Sequence, residues 1–340
     1  MIRFNAKRVL WMLRAFTLLF AFAGASHARD AAGWLAQMSQ ALESRNYEGT
    51  LVHMQPGTAE TFHVYHRVAD GKSTERLVAM DGDGAEVVRT SDEVICIFPG
   101  QKKVVVDKRQ SAVSKKGPLR ANLPKLTPEL AQSYEMLLLD ADRVIGRPTV
   151  VISIKPLDNY RYGYRLWLDE ETALPLRMQL LDLESTMPVE ELFFTALTVP
   201  GVVPEEKLRS AVNTDDFSWV RHGREPGQTN PPAGVSKWAA ADLPSGFMQT
   251  TFTLEYMADS ELPRTHLVYS DGLASVSVFI DSIAPTDAKA EGFVAMGAAN
   301  SYTRTHDGML ITAMGEVPAR TVERIASSME LQAGQNDGDN

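Results

Sequence analysis

Few residues of this chain have the types and spacing that enzyme chemistry requires. It contains no GxSxG nucleophile motif, no HExxH zinc motif and no CxxC pair. His63 and His66 lie three residues apart in a predicted strand, which places them on opposite faces and argues against a shared metal. Gly82-Asp83-Gly84 lacks the third glycine of a nucleotide-binding loop and predicts a hairpin turn. The sequence therefore predicts no enzyme, no metal site and no cofactor.

A cluster of basic residues between Gln101 and Lys125 is the first feature that could bind something. Asp107 is the only acid within it, although the chain as a whole carries a net charge of −9. This local reversal of charge has two interpretations. The cluster is either a binding site for anionic lipid headgroups or an acidic partner, or it is a solvated loop rich in Gly and Pro. The candidate anion-binding residues are Lys102, Lys103, Lys108, Arg109, Lys115, Lys116 and Arg120.

The segment YRYGYRLWLD is the second candidate. Strand alternation places its three tyrosines and two leucines on one face, which must be core. The other face carries Arg161, Arg165 and Trp167. We interpret that second face either as ordinary exposed surface or as part of a recognition patch.

Most of the elements that must position these residues are predicted strands. A helix follows Asp30, and about eleven short β-branched or aromatic segments with turn residues between them precede residue 200. A brief helix is expected at Thr127-Pro128-Glu129. No predicted helix is long enough to alternate with the strands as βαβ units, so we expect an antiparallel sheet. Such a sheet either has a filled core or curls over a cavity for acyl chains.

Composition changes after residue 199 and predicts two domains. Residues 29–199 form the N-terminal domain, and residues 200–235, rich in Pro and Gly, are predicted to be a linker. A second alternating pattern over 236–332 predicts a smaller α+β domain with an antiparallel sheet and a terminal helix that starts at Pro318. Residues 333–340 are predicted to be a frayed tail.

The first 28 residues read as a cleaved signal peptide. They combine Arg3, Lys7 and Arg8 with an apolar stretch too short to span a bilayer and a small-residue cleavage site. The mature chain is therefore predicted to be periplasmic, without a transmembrane segment. Cys96 is the only cysteine, so neither an acyl anchor at the cleavage site nor a disulfide is expected. The acidic composition also argues against nucleic-acid binding.

Four stretches resemble the RseB/MucB family of periplasmic sigma-E regulators. They are ERLVAMDGDGAEVVR, RVIGRPTVVISIKPLDNYRYGYRLWLDEETALPLR, LPSGF and HLVYSDGLASVSVFID. The resemblance implies an N-terminal domain similar to the LolA/LolB lipoprotein carriers, an open antiparallel half-barrel with covering helices. It also implies binding of the periplasmic segment of a membrane-anchored anti-sigma factor (RseA or MucA), protection of that segment from proteolysis, and release by lipid or lipopolysaccharide. No catalytic residue is carried over.

Two other functions are weighed against this one. A lipid or lipoprotein carrier of the LolA type would need only the N-terminal half-barrel, so the second domain argues against it. A hydrolase of envelope polymers would need a nucleophile or a carboxylate pair that the sequence does not display. Whether the protein is a monomer or a homo-oligomer stays open at the sequence level.

Overall fold

The computed structural model describes residues 30–108, 130–185, 187–222, 238–255, 263–282 and 291–332. Within these ranges the chain is mainly β, with one large open sheet, a smaller antiparallel sheet and few helices, which confirms the predicted fold class. The predicted signal peptide, the tail and the start of the helix at residue 127 lie outside the described residues.

The large sheet contains twelve strands among the described residues. Eleven of them precede residue 200, as the sequence predicted. Their bounds are β1 (Tyr47–Gln55), β2 (Thr58–Ala69), β3 (Lys72–Ala79), β4 (Glu86–Arg89), β5 (Glu93–Phe98), β6 (Lys103–Lys108), β7 (Tyr134–Val144), β8 (Arg147–Pro156), β9 (Gly163–Asp169), β10 (Pro175–Leu181), β11 (Pro188–Thr198) and β12 (Ser218–His222).

The strand order is β12-β6-β5-β4-β3-β2-β1-β11-β10-β9-β8-β7, so β12 and β7 are the two edges of an open sheet. Tight hairpins produce this order. At Asp70-Gly71, for example, both residues have positive φ and join β2 to β3, the conformation that an Asp-Gly pair favours. Every pair is antiparallel except β12 with β6, which is parallel.

One face of the large sheet packs against helix α1 (Ala31–Ser44). Leu35 and Met38 of α1 meet Leu51 of β1 and Leu166 of β9 in a continuous buried core. The short helix α2 (Leu130–Ser133) contributes Leu130 to the same core. We call this the helix face and the opposite one the outer face.

The outer face is partly covered by residues that the sequence predicted to be linker. Val203 and Leu208 are buried, residues Glu205–Leu208 form a 3-10 turn, and β12 pairs with β6. The linker prediction is therefore wrong for residues 200–222: β12 is a strand of the large sheet, and residues before it pack against the outer face. The sequence did not indicate this role, because the apolar residues of the segment are sparse among prolines and charged residues.

The remaining described residues form a second unit around a six-stranded antiparallel sheet. The strand bounds are β13 (Trp238–Ala240), β14 (Met248–Glu255), β15 (Arg264–Ser270), β16 (Ser275–Ser282), β17 (Gly292–Met296), β18 (Ala299–His306), β19 (Met309–Gly315) and β20 (Met329–Leu331). The order of the six-stranded sheet is β14-β15-β16-β19-β18-β17, and helix α3 (Ala319–Ser327), which follows Pro318 as predicted, packs on β18 and β19. β13 and β20 form a separate pair.

Candidate binding site

Arg161 joins the two sheets. It lies in the turn before β9, and its side chain is 1% exposed. Its Nε donates to Asp271 Oδ2 at 2.6 Å, and Asp271 lies in the hairpin between β15 and β16 of the small sheet. Further hydrogen bonds run to Asp158 and to the Ser245 carbonyl. Arg161 is thus a structural hub, because its guanidinium satisfies acceptors from both units at once.

Aromatic rings and a phenol complete the hub. The guanidinium carbon of Arg161 lies 5.0 Å from the Phe247 ring centre and 5.7 Å from that of Tyr134. Tyr134 also donates its hydroxyl hydrogen to Asp271 at 3.2 Å. Burial, followed by the charge of Asp271, raises the pKa of Tyr134, so the phenol stays protonated and keeps its role as a donor.

Burial by itself would lower the pKa of Arg161. The hydrogen bond to Asp271 and the charges of Asp271 and Asp158 outweigh it, and the pKa is raised. The guanidinium of Arg161 therefore stays charged between its carboxylate partners.

The tyrosines on either side of Arg161 also contact the small unit. Thr321 donates its hydroxyl hydrogen to the Tyr160 carbonyl at 2.7 Å, and the guanidinium of Arg324 lies 4.7 Å from the Tyr160 ring centre. Asn300 donates to the Tyr162 hydroxyl at 3.1 Å. One of the four stretches that carry the family resemblance, the one containing residues 160–162, thus builds the junction of the two sheets.

We expected Arg161, Arg165 and Trp167 to share one exposed face. This prediction is wrong for two of the three residues. Arg161 is enclosed at the junction, and Trp167 is 5% exposed. The reason is that β9 begins only at Gly163, so strand alternation does not extend back to Arg161. Arg165 and Trp167 do share the outer face, because their partners on β8 are Ser153 and Val151.

Trp167 is enclosed by charged neighbours on the outer face. Its indole nitrogen donates to Asp142 at 2.9 Å, and the Arg177 guanidinium stacks 4.6 Å from its ring centre. Arg177 in turn pairs with Glu191. Arg165, 6.0 Å from the Trp167 ring, has no ion-pair partner among the described residues. Arg165 is half-buried, and its Nε is enclosed without a hydrogen-bond partner among the described residues, so its part in a recognition patch stays a prediction.

The predicted basic cluster is only partly within the described residues. Lys102 caps the turn after β5, and its ammonium pairs with Asp216 at 2.6 Å. Lys103 begins β6 and is half-buried, while Lys108 ends the same strand. Four of the residues that we singled out, namely Arg109, Lys115, Lys116 and Arg120, lie outside the described residues. Their part in anion binding stays a prediction.

A second charged contact lies on the helix face. His53 Nε2 of β1 is 2.9 Å from Glu190 Oε1 of β11, although the N–H does not point straight at the oxygen. This contact with Glu190, opposed by burial, raises the pKa of His53. Glu316, which follows β19 in the small unit, has its pKa raised by burial and by the charge of Glu190. The carboxylate of Glu190 thus acts on groups from both units.

Sequence reasoning missed the partners of Arg161. Asp271 is followed by Gly272, a pair that indicates only a tight turn, and Ser245 and Asn300 carry no signal. An arginine between two tyrosines hints at a buried cation, but its acceptor lies 110 positions away and no local pattern identifies it. In the described ranges no three His, Cys, Asp or Glu side chains are grouped as metal ligands. None of the helices described there is both long and apolar enough to cross a bilayer.

Comparison with known proteins matches both units. The family model described as MucB/RseB N-terminal domain matches residues 30–212, and that described as MucB/RseB C-terminal domain matches residues 232–330. The chain is 32% identical to the sigma factor AlgU regulatory protein MucB of Pseudomonas aeruginosa, over 91% of this chain and 93% of that protein. It is 26% identical to the sigma-E factor regulatory protein RseB of Escherichia coli K12, over 94% and 96%.

Solved structures give the same result. The complex of Pseudomonas aeruginosa MucA and MucB includes a chain that is 31% identical and superposes with a TM-score of 0.69, over 89% of this chain and 99% of that one. A crystal structure of MucB is 30% identical and superposes with a TM-score of 0.59, over 89% of this chain and 98% of that one.

Proposed function

The chain belongs to the MucB/RseB family, and on that premise we propose that it binds the periplasmic segment of a membrane-anchored anti-sigma factor of the RseA/MucA type. It acts in the periplasm after removal of the signal peptide. While bound, it shields that segment from regulated proteolysis and so restrains a sigma-E envelope-stress response. Lipid or lipopolysaccharide releases the segment.

The observation that carries this proposal is the match of both units, in one arrangement, to MucB in its complex with MucA. The arrangement depends on contacts between the units, and those contacts are made by Arg161 and the tyrosines beside it. A partner segment that lies across both units would then meet a preformed surface, which lowers the entropic cost of binding.

Release by lipid requires that lipid and partner bind with negative coupling. Such coupling is typically worth about 1 to 3 kcal/mol. Cations of the basic cluster that includes Lys102 and Lys103 would attract the anionic headgroups, each contributing about 1 kcal/mol near a charged surface and less at high salt.

The proposal is tested with the mature protein and the purified periplasmic domain of the anti-sigma factor from the same organism. Calorimetric titration should give a saturable complex, and adding the protein should slow cleavage of the anti-sigma domain by its regulatory protease. Lipopolysaccharide added to the complex should restore cleavage. Absence of any complex would refute the proposal, whereas a complex that lipopolysaccharide leaves intact would refute only the lipid step.

A lipoprotein carrier of the LolA type gives a different result in the same preparation. Such a carrier would extract a lipoprotein from inner-membrane vesicles into solution and would ignore the anti-sigma domain. Incubating the protein with vesicles that contain an acylated lipoprotein, followed by sedimentation, separates the two functions.

A further inference from the structure

A cavity of about 570 Å³ lies on the outer face of the large sheet, between β2–β5 and residues 205–219. Its floor is apolar where the strands present Val88, Ile95 and Ile97, and its cover is apolar at Leu208 and Val212. Cavities of about 300 to 1,000 Å³ with apolar walls and a few polar groups are typical of small-molecule sites.

The cover of the cavity is fastened at several points. Arg76, itself paired with the buried Glu86, donates to the Lys207 carbonyl at 3.1 Å. The Lys207 ammonium reaches Glu48 at 2.7 Å. Further along, Asp216 is held by Lys102 at 2.6 Å. The cavity is thus a formed part of the fold, with its walls positioned by ion pairs outside it.

The rim of the cavity is positively charged in an otherwise acidic chain. Arg67, Lys72 and Arg209 line it together with one acid, Glu205. Glu205 Oε1 pairs with Arg209 at 2.5 Å, and its other oxygen lies 3.9 Å from Arg67. Lys72 is exposed and has no ion-pair partner among the described residues. The rim therefore has more cationic than anionic groups.

We propose that this cavity binds a single-chain amphipathic anion. The acyl chain lies on Val88, Ile95 and Ile97, and the carboxylate or phosphate head meets Lys72, Arg67 and Arg209. The helix face is instead packed against α1. Leu35, Leu51 and Val64 fill the core there and are at most 1% exposed. The site thus combines the two requirements of such a ligand, an apolar floor and an excess of cations at one rim.

This inference rests on the lipid step of the proposed function, for which it names a second site whose cations, Arg67, Lys72 and Arg209, are not those of the basic cluster. It also places that site beneath the stretch that leads from the large sheet to the second unit. A ligand that occupies the cavity contacts residues 205–219 directly, and so can alter the stretch that precedes the second unit.

Three probes with the same chain and different heads test the site: dodecanoate, dodecyl phosphate and dodecanol. Each is titrated, below its micelle concentration, against the mature protein in competition with a fluorescent fatty acid. Dodecanoate and dodecyl phosphate should displace the reporter, with affinities that fall as salt rises, and dodecanol should bind at least about fivefold more weakly. A stronger response to the carboxylate indicates a fatty acid, and a stronger response to the phosphate indicates a lipid phosphate headgroup.

Variants locate the binding. The double variant Arg67→Gln/Lys72→Gln should raise the dissociation constant of the anionic probes about tenfold and leave dodecanol unchanged. The matched control Arg143→Gln/Lys155→Gln removes two exposed cations elsewhere on the sheet and should have no effect. Thr74→Trp, which fills the cavity without a change in charge, should abolish binding of all three probes.

Thermal unfolding of each variant shows that it is folded before it is titrated. If Thr74→Trp does not fold, the double variant decides alone, since it alters only the rim. Unchanged affinity in the double variant would overturn the site. Because these titrations contain no anti-sigma factor, their failure leaves partner binding untouched, and failure of partner binding leaves them intact.

Discussion

Arg161 illustrates how much a single buried cation contributes in this molecule. Its side chain and that of Asp271 are each 1% exposed, so their attraction acts in a medium of low dielectric constant. The pair also had to lose its hydration, and the net gain is therefore smaller than the attraction. Removing one partner, however, leaves an uncompensated buried charge. The cost of such a change is expected to be large.

Arg161→Met should lower the free energy of unfolding by about 3 to 5 kcal/mol, because Asp271 loses the partner that neutralises it. Urea denaturation followed by circular dichroism measures the change. Arg165→Met is the matched control, since Arg165 belongs to the same segment but lacks an ion-pair partner in the described ranges, and should cost less than about 1 kcal/mol. Equal effects of the two variants would contradict a structural role for Arg161.

His53 makes stability depend on pH. Its pKa is raised mainly by contact with Glu190, so the folded chain holds the proton more tightly than the unfolded chain does. The stabilisation is complete below the ordinary value of 6.5 and is lost as pH rises through the raised pKa. His53→Gln should therefore destabilise the protein by about 1 kcal/mol near pH 6 and by less near pH 8.

The control for this prediction is His63, whose pKa is lowered, first of all by burial. Its protonation opposes folding, so His63→Gln should relieve a penalty that grows as pH falls. Urea titrations at the two pH values give both differences. A loss of stability in His53→Gln that is the same at both pH values would show that the contact is not ionic.

At the scale of elements, β12 changes where the first domain ends. It extends the large sheet by a parallel pairing with β6, and the residues before it cover the outer face. Ile97, Val104 and Val106 are buried there with Val212 and Phe217 packed against them. A chain that stops at residue 199 would expose this apolar cluster to water.

A fragment of residues 30–199 should therefore be less stable than one of residues 30–222, by about 3 kcal/mol or more, given the several apolar side chains that lose their cover. Urea denaturation of the two fragments and of the mature protein tests this. Equal midpoints and slopes for the two fragments would mean that residues 200–222 are a linker after all.

At the scale of the whole molecule, the two sheets are joined by polar contacts that are buried. The hub at Arg161 and the contact between Asn300 and Tyr162 hold one unit against the other. Ala298, in the turn between β17 and β18, adds to the core of the large sheet. A partner segment that touches both units gains from their fixed separation, because the second contact forms at high effective concentration.

Under the proposed function, the fragment of residues 30–222 should bind the periplasmic domain of the anti-sigma factor at least about tenfold more weakly than the chain of residues 29–340 does. Calorimetric titration of both, with circular dichroism to confirm that the fragment is folded, provides the comparison. Undiminished affinity would place the whole partner site on the large sheet.

The sequence by itself determined the eleven strands before residue 200, the helix after Asp30, the helix after Pro318 and the presence of a second β pattern. Alternation in segments such as β1 and the Asp70-Gly71 turn is local chemistry, because side-chain direction and positive φ depend on neighbouring residues. The role of β12 and the partners of Arg161 were decided only by tertiary structure. β12 forms a strand because β6 offers an unpaired edge, and Asp271 reaches Arg161 from 110 positions away. Burial and pairing across such distances depend on how sheets pack, and no periodicity within a single segment encodes them.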